Sequence, residues 1–464
     1  MSDLIERTLS RLDEKLVGHV SLPGSDDYAA ATAIWARPIG RIPQAIAHCV
    51  TAEDVSAAIL AARECYLPIS VRGGGHDWAG RALCEGIVID MRDMKQVVLH
   101  ADKRSMRIAG GALAKDVVGV TDLFGLAAVT GSVGVVGMAG LTLGGGYGPL
   151  IGRFGLALDN MLAAEVVLSD GRVVVASQDS EEELFWSLRG GGGNFGVVTA
   201  MRHRLHELPS VRSGMVAYPF AEARAVLEHC AEIAATAPDA LTVQVGVAAG
   251  PDGQPFVLVV PTWCGVEAEG EARVAPFLKL GTLLFGELRS QPYGASLKLF
   301  DAHLVNGRRT FMETCWMPEL NGGGIEAIIR AAETMVSPGC ALLTHEFRGA
   351  ASRVAVEATA FALREDHVLV EIIASCAPAD DVEEQKHRNW ARTARMGFDA
   401  VALSGGYPNL LADGDALRAT ESYGRNANRL VAAKRRYDPD NVFASAIPLP
   451  LDRQRHAPLQ LVRM

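Results

Sequence analysis

The chain has 464 residues, of which 49% are hydrophobic, so it can bury a large core and form two or three domains. Its 44 basic and 54 acidic residues give a formal net charge of −10, which argues against nucleic acids and anionic membranes as partners. The charged N-terminus lacks the pattern of a signal peptide and no run of about 18 apolar residues occurs, so we expect a cytoplasmic protein.

The first predicted elements form a βαβ-like unit. Thr51 begins a capped helix that extends to about Tyr66, and the apolar residues 67–71 then form a buried strand. This strand leads into the turn Arg72-Gly73-Gly74-Gly75-His76-Asp77. Because glycine lacks a Cβ, the N–H groups of this turn can form a concave anion site, with a phosphate as the expected ligand.

A second glycine-rich segment follows short strands at 87–90 and 105–108 and a helix at 115–124. Residues 131–148 contain eight glycines, a density that would weaken an ordinary helix or strand. Close approach of the backbone to something large and flat explains this density. A flexible linker does not, because Val, Leu and Met intervene and Ser, Pro and charge are scarce.

The next segments combine a hairpin with a third glycine cluster. Residues 164–168 and 172–175 flank Ser169-Asp170-Gly171, which is typical of a β-hairpin. Ser180 with Glu183 predicts a capping box for a helix that ends near Gly190. Gly190-Gly191-Gly192-Gly193-Asn194-Phe195-Gly196-Val197-Val198 then forms the cluster.

A second domain is predicted from about Val211, where the glycine clusters stop. Strands alternate with helices from this point on, and the predicted elements are strands at 241–247, 255–261, 341–348 and 368–375 and a helix at 323–335. Near the C-terminus, residues 423–426 open a helix that carries Leu430 and Lys434 and leads to Tyr437-Asp438-Pro439-Asp440-Asn441-Val442-Phe443.

These three clusters, together with residues 155–160 and 437–443, resemble the berberine-bridge-enzyme-like branch of the flavoprotein oxidases, which have the vanillyl-alcohol-oxidase type of FAD domain. The resemblance implies an α+β fold with three parts. A PCMH-type FAD-binding domain of two subdomains spans 1–208, and an α/β substrate-binding domain with an antiparallel sheet spans 209–405. The segment 406–464 returns to the FAD domain.

The resemblance implies FAD as cofactor, with a single covalent bond from the His76 ring to the 8α-methyl group of the flavin. Many members add a second bond from a cysteine at the position of Val133, so no cysteinyl link is expected here. None of the eight cysteines forms a Cys-x-x-Cys pair and no metal-ligand spacing occurs, so we expect buried thiols and no metal. The implied cofactor-binding residues are Arg72, Gly73, Gly74, Gly75, His76, Asp77, Gly80, Gly131, Ser132, Val136, Gly137, Gly140, Leu141, Gly145, Gly146, Asn160, Gly196, Val198 and Asn441.

Two residues are implied as catalytic by their positions in the family pattern. Tyr407 matches the tyrosine of a Tyr-x-Asn motif, and to act as a base near neutral pH its pKa must be lowered by a cation or by the flavin. Glu346 occupies the sheet position of an active-site carboxylate in hydroxynicotine oxidases and berberine-bridge enzymes. Strand alternation places Thr344, Glu346 and Arg348 on one face and His345 and Phe347 on the other, and only one face can meet the flavin.

Other residues have weaker claims on the site. Glu371, a carboxylate inside an apolar strand, is either a second active-site residue or a paired structural charge. Gln244, Trp263 and Trp316 are candidate walls, although core packing suits the two tryptophans better.

The sequence therefore predicts an FAD-dependent oxidase whose partners are a small-molecule substrate and dioxygen. We expect the substrate to be cyclic. The enzyme removes a hydride from a C–H next to an OH or amine and releases hydrogen peroxide. Val136 favours the oxidase, since the resemblance places it where a small residue leaves room for dioxygen. Two alternative functions remain open: oxidative cyclisation or desaturation, and a flavoprotein that sequesters a ligand without turnover. The oligomeric state is also open, and a homodimer is one possible assembly.

Overall fold

The computed structural model describes residues 2–37, 40–301, 304–412 and 415–450. Residues 451–464 of the predicted C-terminal segment lie outside this description. No helix in the described part of the chain is both long and apolar enough to cross a membrane.

The N-terminal subdomain is a four-stranded sheet with a predominantly parallel centre. Its helices are α1 (Ser2–Lys15), α2 (Asp26–Thr32) and α3 (Ala52–Glu64), and its strands are β1 (His19–Ser21), β2 (Ala45–His48), β3 (Ile69–Arg72) and β4 (Ile87–Asp90), in the order β1-β2-β4-β3. Both β2 and β3 run parallel to β4, which confirms the βαβ prediction. Thr51 caps α3 through a capping box with Asp54, and Val55 and Ile59 are fully buried.

The second subdomain is built on an antiparallel sheet in the order β5-β6-β10-β8-β9. Its elements are β5 (Val97–Leu99), β6 (Ser105–Ala109), α4 (Ala114–Thr121), β7 (Leu126–Ala127), α5 (Met138–Gly144), α6 (Ile151–Phe154), β8 (Met161–Val167), β9 (Val173–Ser177), α7 (Glu182–Gly191), β10 (Val197–Arg204) and β11 (His206–Glu207). The predicted hairpin is confirmed as β8 and β9. The predicted capping box is wrong, because Ser180 pairs through its backbone with Ser177 and Glu181 occupies the N-cap with φ of 47°.

The substrate-binding domain contains a nine-stranded antiparallel sheet. Its elements are β12 (Val211–Ser213), β13 (Val216–Pro219), α8 (Ala223–Ala235), β14 (Leu241–Ala249), β15 (Pro255–Trp263), α9 (Glu267–Val274), β16 (Phe285–Gly286), β17 (Arg289–Gln291), α10 (Tyr293–Ser296), β18 (Arg309–Met317), α11 (Gly322–Glu333), β19 (Cys340–Phe347), β20 (His367–Cys376) and α12 (Asp381–Met396). Helices α8, α11 and α12 bury one face of this sheet in an apolar core. Residues of the opposite face line the cavity described below.

The C-terminal segment packs on the third glycine cluster. It forms α13 (Ala416–Tyr423) and α14 (Ala427–Tyr437). The buried Nζ of Lys434 donates to the backbone oxygen of Asn194 at 2.8 Å and to Oδ2 of Asp438 at 2.6 Å. Oδ2 of Asp438 in turn accepts from the backbone N–H of Phe443 at 2.9 Å. A buried, hydrogen-bonded ion pair therefore fixes residues 434–443 against Asn194 of the third glycine cluster.

Candidate active site

A cavity of about 880 Å³ lies between the glycine clusters and the substrate-domain sheet. One side is formed by residues 73–78, by parts of 131–143 and by the third glycine cluster. The other side is formed by residues of β14, β15, β19 and β20. This location, between two domains, is typical of a cofactor and substrate site.

His76 lies on the cavity wall in an aromatic and apolar setting. Its ring centroid is 4.5 Å from that of Trp35 and 5.5 Å from that of Trp78. Burial disfavours the charged ring and lowers the pKa of His76 to about 4, although the charge of Glu371 opposes this shift. The ring is therefore neutral near pH 7, with one nitrogen lone pair available for bonding.

The glycine segments fit a large flat ligand such as FAD. A Cβ on Gly74 would lie 2.6 Å from the backbone nitrogen of Gly137, so these two backbones can approach this closely only as glycines. A Cβ on Gly140 would meet no atom within 4 Å, because the cavity lies there. The buried Nε1 of Trp35, another wall residue, has no hydrogen-bond partner in the described part of the protein. A ligand with acceptor atoms would satisfy it.

Most of the predicted cofactor residues line this cavity: Gly73, Gly74, Gly75, His76, Asp77, Gly131, Ser132, Val136, Gly137, Gly140, Leu141, Gly196 and Val198. Val133, at the position of the cysteinyl link in other family members, also lines it. Cys340 and Cys376 do so as well, but on the substrate-domain side rather than in the segment 131–148.

Of the remaining predicted cofactor residues, Arg72, Gly80, Asn160 and Asn441 are not among those that line the cavity. The guanidinium of Arg72 donates to the backbone oxygens of residues 30, 31 and 33, so it caps the C-terminus of α2. Asn160 donates to the backbone of residues 154 and 156. Gly80 and Asn441 occupy turns with φ of 73° and 55°.

Gly145 and Gly146 act on the cavity through Tyr407. The N–H of Gly146 donates to the Tyr407 hydroxyl oxygen at 3.0 Å, and a Cβ on Gly145 would lie 2.8 Å from the Tyr407 ring. The amide Nδ2 of Asn409 donates to the same oxygen at 3.0 Å and to the backbone oxygen of Gly140 at 3.2 Å. Since a backbone oxygen only accepts, the contact to Gly140 fixes the orientation of this amide.

Tyr407 lines the cavity, as predicted, but its pKa moves in the direction opposite to that expected. Burial raises the pKa of Tyr407 to about 12, and the charge of Glu371 adds to this shift. The hydrogen bonds from Gly146 and Asn409 lower it only in part, and no cation contributes. Tyr407 is therefore a neutral phenol near pH 7. Because N–H donors occupy both lone-pair positions of its oxygen, its own O–H is left to donate.

Glu346, predicted as a catalytic carboxylate, is not among the residues that line the cavity. The ladder between β14 and β19 ends at the pair Gly246 and Leu343. Beyond it, Oγ1 of Thr344 and Oε2 of Glu346 accept from the backbone N–H groups of Val245 at 3.1 Å and Val243 at 2.8 Å. Glu346 thus replaces a lost ladder bond, and it borders only an adjacent void of about 30 Å³.

The face of β19 that meets the cavity carries His345 instead. Its Nε2 lies 3.4 Å from Oε1 of Glu371 on β20 and 3.3 Å from the amide nitrogen of Gln244 on β14. All three residues line the cavity. Strand alternation in the sequence places His345 on the face opposite to Glu346, but no motif marks it as a site residue. The alternation along β19 would identify His345 as a cavity residue once it is known which face of the sheet the helices cover.

Trp263 and Trp316 are core residues and are not among those that line the cavity. The indole of Trp263 donates to the backbone oxygen of Val266 at 2.9 Å and packs in the apolar core beside α9, whose Arg273 lies over its ring. Trp316 is 1% exposed and packs edge-on against His367. Both observations confirm the expectation that packing suits these residues better.

Comparison with known proteins places these features in a family. The FAD binding domain family matches residues 43–177, and the berberine and berberine-like family matches residues 407–450. The crystal structure of 6-hydroxy-D-nicotine oxidase from Arthrobacter nicotinovorans is 30% identical, with a TM-score of 0.81, and the match covers 92% of this chain and 97% of that one. An FAD-linked oxidoreductase of Dictyostelium discoideum is 28% identical over 437 residues, which cover 93% of this chain and 94% of that protein. BBE-like 1 of Physcomitrella patens, at 20% identity and a TM-score of 0.84 over 96% of this chain and 98% of that one, shares the fold.

The fold and the cavity thus define an FAD-dependent oxidoreductase with a PCMH-type FAD-binding domain, and the α+β prediction is confirmed. The chain belongs to the berberine-bridge-enzyme-like family of FAD-linked oxidoreductases.

Proposed function

We propose that this protein is an oxidase that carries FAD on a single covalent bond to His76 and oxidises a C–H next to an OH or amine of a small cyclic substrate. Dioxygen is the electron acceptor and hydrogen peroxide the product. The arrangement of the cavity carries the proposal: His76 lies on the glycine side, while Tyr407, Gln244, His345 and Glu371 also line the walls.

The attachment is proposed at His76 because its neutral ring offers a lone pair. Val133 has no group that could form a second bond. A relative of known structure, the glucooligosaccharide oxidase of Acremonium strictum, carries a 6-S-cysteinyl, 8α-N1-histidyl FAD. The single bond proposed here therefore separates this chain from that relative.

His76 and the glycine segments that line the cavity would hold FAD, which would supply the two-electron chemistry between the substrate C–H and dioxygen. The substrate loses one C–H hydrogen and one O–H or N–H hydrogen, and both are found in the hydrogen peroxide formed. The protein must therefore supply a group that takes the proton from the substrate heteroatom and one that positions this heteroatom.

His345 is the proton acceptor in this proposal, because it lines the cavity and has a carboxylate beside its ring. Its Nε2 lies 3.4 Å from Oε1 of Glu371 and 3.3 Å from the amide nitrogen of Gln244. With Nε2–H donating to Glu371, the other ring nitrogen, Nδ1, takes the substrate proton, and Glu371 stabilises the imidazolium that forms. The hydroxyl of Tyr407, whose oxygen is held by Gly146 and Asn409, donates to the substrate heteroatom.

The covalent bond is tested by flavin fluorescence of the denatured protein on a gel. Wild type and a His229→Ala control, an exposed histidine on α8, are expected to give fluorescent bands, and His76→Ala is expected to give none. A dark wild-type band would refute the covalent attachment.

The oxidase activity is tested by screening cyclic alcohols and amines for peroxide release. Val136→Leu is expected to slow reoxidation by air at least about tenfold while anaerobic reduction is retained, because the larger side chain fills space at the cavity wall. The mass of the product separates simple oxidation from cyclisation or desaturation. A protein that binds ligands without any flavin reduction would be a sequestering flavoprotein instead.

A further inference from the structure

Arg308, which immediately precedes β18, presents a fixed guanidinium to the cavity. Its Nε donates to the hydroxyl oxygen of Ser375 at 2.9 Å, and one Nη donates to the backbone oxygen of the same residue at 3.2 Å. Its own backbone oxygen accepts from the N–H of Arg37 at 2.9 Å. Side chain and backbone are thus both held in place before any ligand binds, which reduces the entropic cost of binding.

The charge of Arg308 is not neutralised by a neighbouring carboxylate. In the described part of the chain no Asp or Glu oxygen lies within 4 Å of its guanidinium. The nearby acidic residues have other partners: Glu384 pairs with Arg309 at 2.7 Å, and Glu383 pairs with His387 at 3.5 Å and with Lys386 at 3.7 Å. A partly buried cation that faces a ligand cavity in this way is suited to an anion.

The N–H donors of Arg308 that Ser375 does not engage have the geometry to bind a carboxylate. A guanidinium has five N–H donors, and Ser375 engages the Nε and one Nη. The remaining Nη donors lie in one plane, and such a plane binds the two oxygens of a carboxylate side by side.

The arrangement along β20 sets the distance from this cation to the proposed redox centre. Glu371, Ile373 and Ser375 all line the cavity from the same face of the strand. Ser375 is four positions beyond Glu371 along the strand, which corresponds to about 13 Å. The wall between the two ends is apolar and includes Ile373, Leu343 and Ala341.

We propose that Arg308 binds a carboxylate of the substrate, so that the substrate is an elongated organic acid. Its carboxylate lies at Arg308, an apolar and preferably cyclic middle contacts Ile373 and Leu343, and the oxidised carbon with its OH or amine lies at His345 and Glu371. This inference rests on the proposed oxidase function only for the reaction at the second end.

The test uses two pairs of probe compounds, and each pair consists of a carboxylate and the matching neutral carboxamide. The long pair is a para-linked biphenyl with a hydroxymethyl group at one end and a carboxylate or a carboxamide at the other, and the short pair has one ring. Affinity is measured from the change in the visible flavin absorption of the holoprotein. Wild type is expected to bind the long carboxylate at least about tenfold more tightly than the long carboxamide, and more tightly than the short carboxylate.

Arg308→Gln is expected to bring the ratio of carboxylate to carboxamide affinity close to one. Arg308→Lys keeps the charge but not the planar fork, so an intermediate ratio is expected. Lys386→Gln, which removes a cation from the neighbouring helix α12 without touching the cavity, is expected to keep the wild-type ratio. Flavin content shows that each variant is folded.

The proposal is overturned if wild type binds neither carboxylate, if it does not prefer the carboxylate, or if Arg308→Gln keeps the preference. Peroxide release is measured in parallel, so that the carboxylate subsite and the proposed oxidase activity are tested separately. Binding that depends on Arg308 without any peroxide would support the subsite and refute the oxidase. Peroxide formed only from neutral alcohols would refute the subsite and support the oxidase.

Discussion

Replacing Gly74 by alanine tests the close approach of the two glycine segments that form one side of the cavity. The new Cβ would lie 2.6 Å from the backbone nitrogen of Gly137, and a Cβ on Gly137 would lie 2.6 Å from the nitrogen of Gly74. Ordinary van der Waals contacts begin near 3.4 Å. One backbone must therefore retreat by about 1 Å, since neither obstacle is a side chain that can rotate away.

We expect Gly74→Ala to lower the free energy of unfolding by about 1–3 kcal/mol, the usual range for overpacking. The same displacement widens the cavity between residues 73–76 and 137, so FAD content should fall more steeply than stability. Urea unfolding of the protein and the ratio of flavin to protein absorbance measure the two effects.

Gly119→Ala is the matched control. A Cβ there would meet no atom within 4 Å, and the residue lies inside α4. Alanine is favoured over glycine in a helix, so this variant should be unchanged or more stable by up to about 1 kcal/mol. A Gly74→Ala protein with wild-type urea midpoint and flavin content would refute the close backbone approach.

Three further predictions concern single side chains. Tyr407→Phe should slow anaerobic flavin reduction at least about tenfold, and by the same factor at pH 7 and pH 9, because burial raises the pKa of Tyr407 to about 12 and the phenol stays protonated at both. Burial lowers the pKa of His367 to about 3 in the folded protein, whereas the histidine of the unfolded chain binds a proton near pH 6.5. The unfolded state therefore binds more protons below pH 6.5, and the free energy of unfolding falls as the pH drops. His367→Gln should therefore flatten urea stability against pH between 6.5 and 4 by up to about 1.4 kcal/mol per pH unit. Lys434→Met leaves the fully buried Asp438 unpaired and should cost about 3–5 kcal/mol of unfolding free energy, whereas Arg63→Gln, at an exposed ion pair, should cost less than about 1 kcal/mol.

Each of these predictions has a contrary outcome. A loss in Tyr407→Phe that grows with pH would mean that the tyrosinate is the active form. An acid slope that is unchanged in His367→Gln would assign that slope to other groups. Equal costs for Lys434→Met and Arg63→Gln would show that burial does not set the strength of the C-terminal anchor.

Local chemistry made the glycine side of the cavity predictable from sequence. Close backbone approach requires glycine, so the three clusters marked the segments that surround the cavity, and His76 lies in a turn whose neighbours also line it. The capping of α3 and the hairpin of β8 and β9 depend on residues close in sequence, and these predictions were confirmed. The predicted domain boundaries, the cytoplasmic location and the homodimer stay predictions.

Tertiary structure decided the substrate side. Alternation divides β19 into two faces, but only the packing of α8, α11 and α12 determines that His345, and not Glu346, meets the cavity. The direction of the Tyr407 pKa shift depends on burial by segments far away in sequence. The role of Arg308 depends on Ser375, 67 positions along the chain, and on the partners of Glu383 and Glu384. Which charges meet across a cavity is fixed by packing between distant segments, and no local pattern records it.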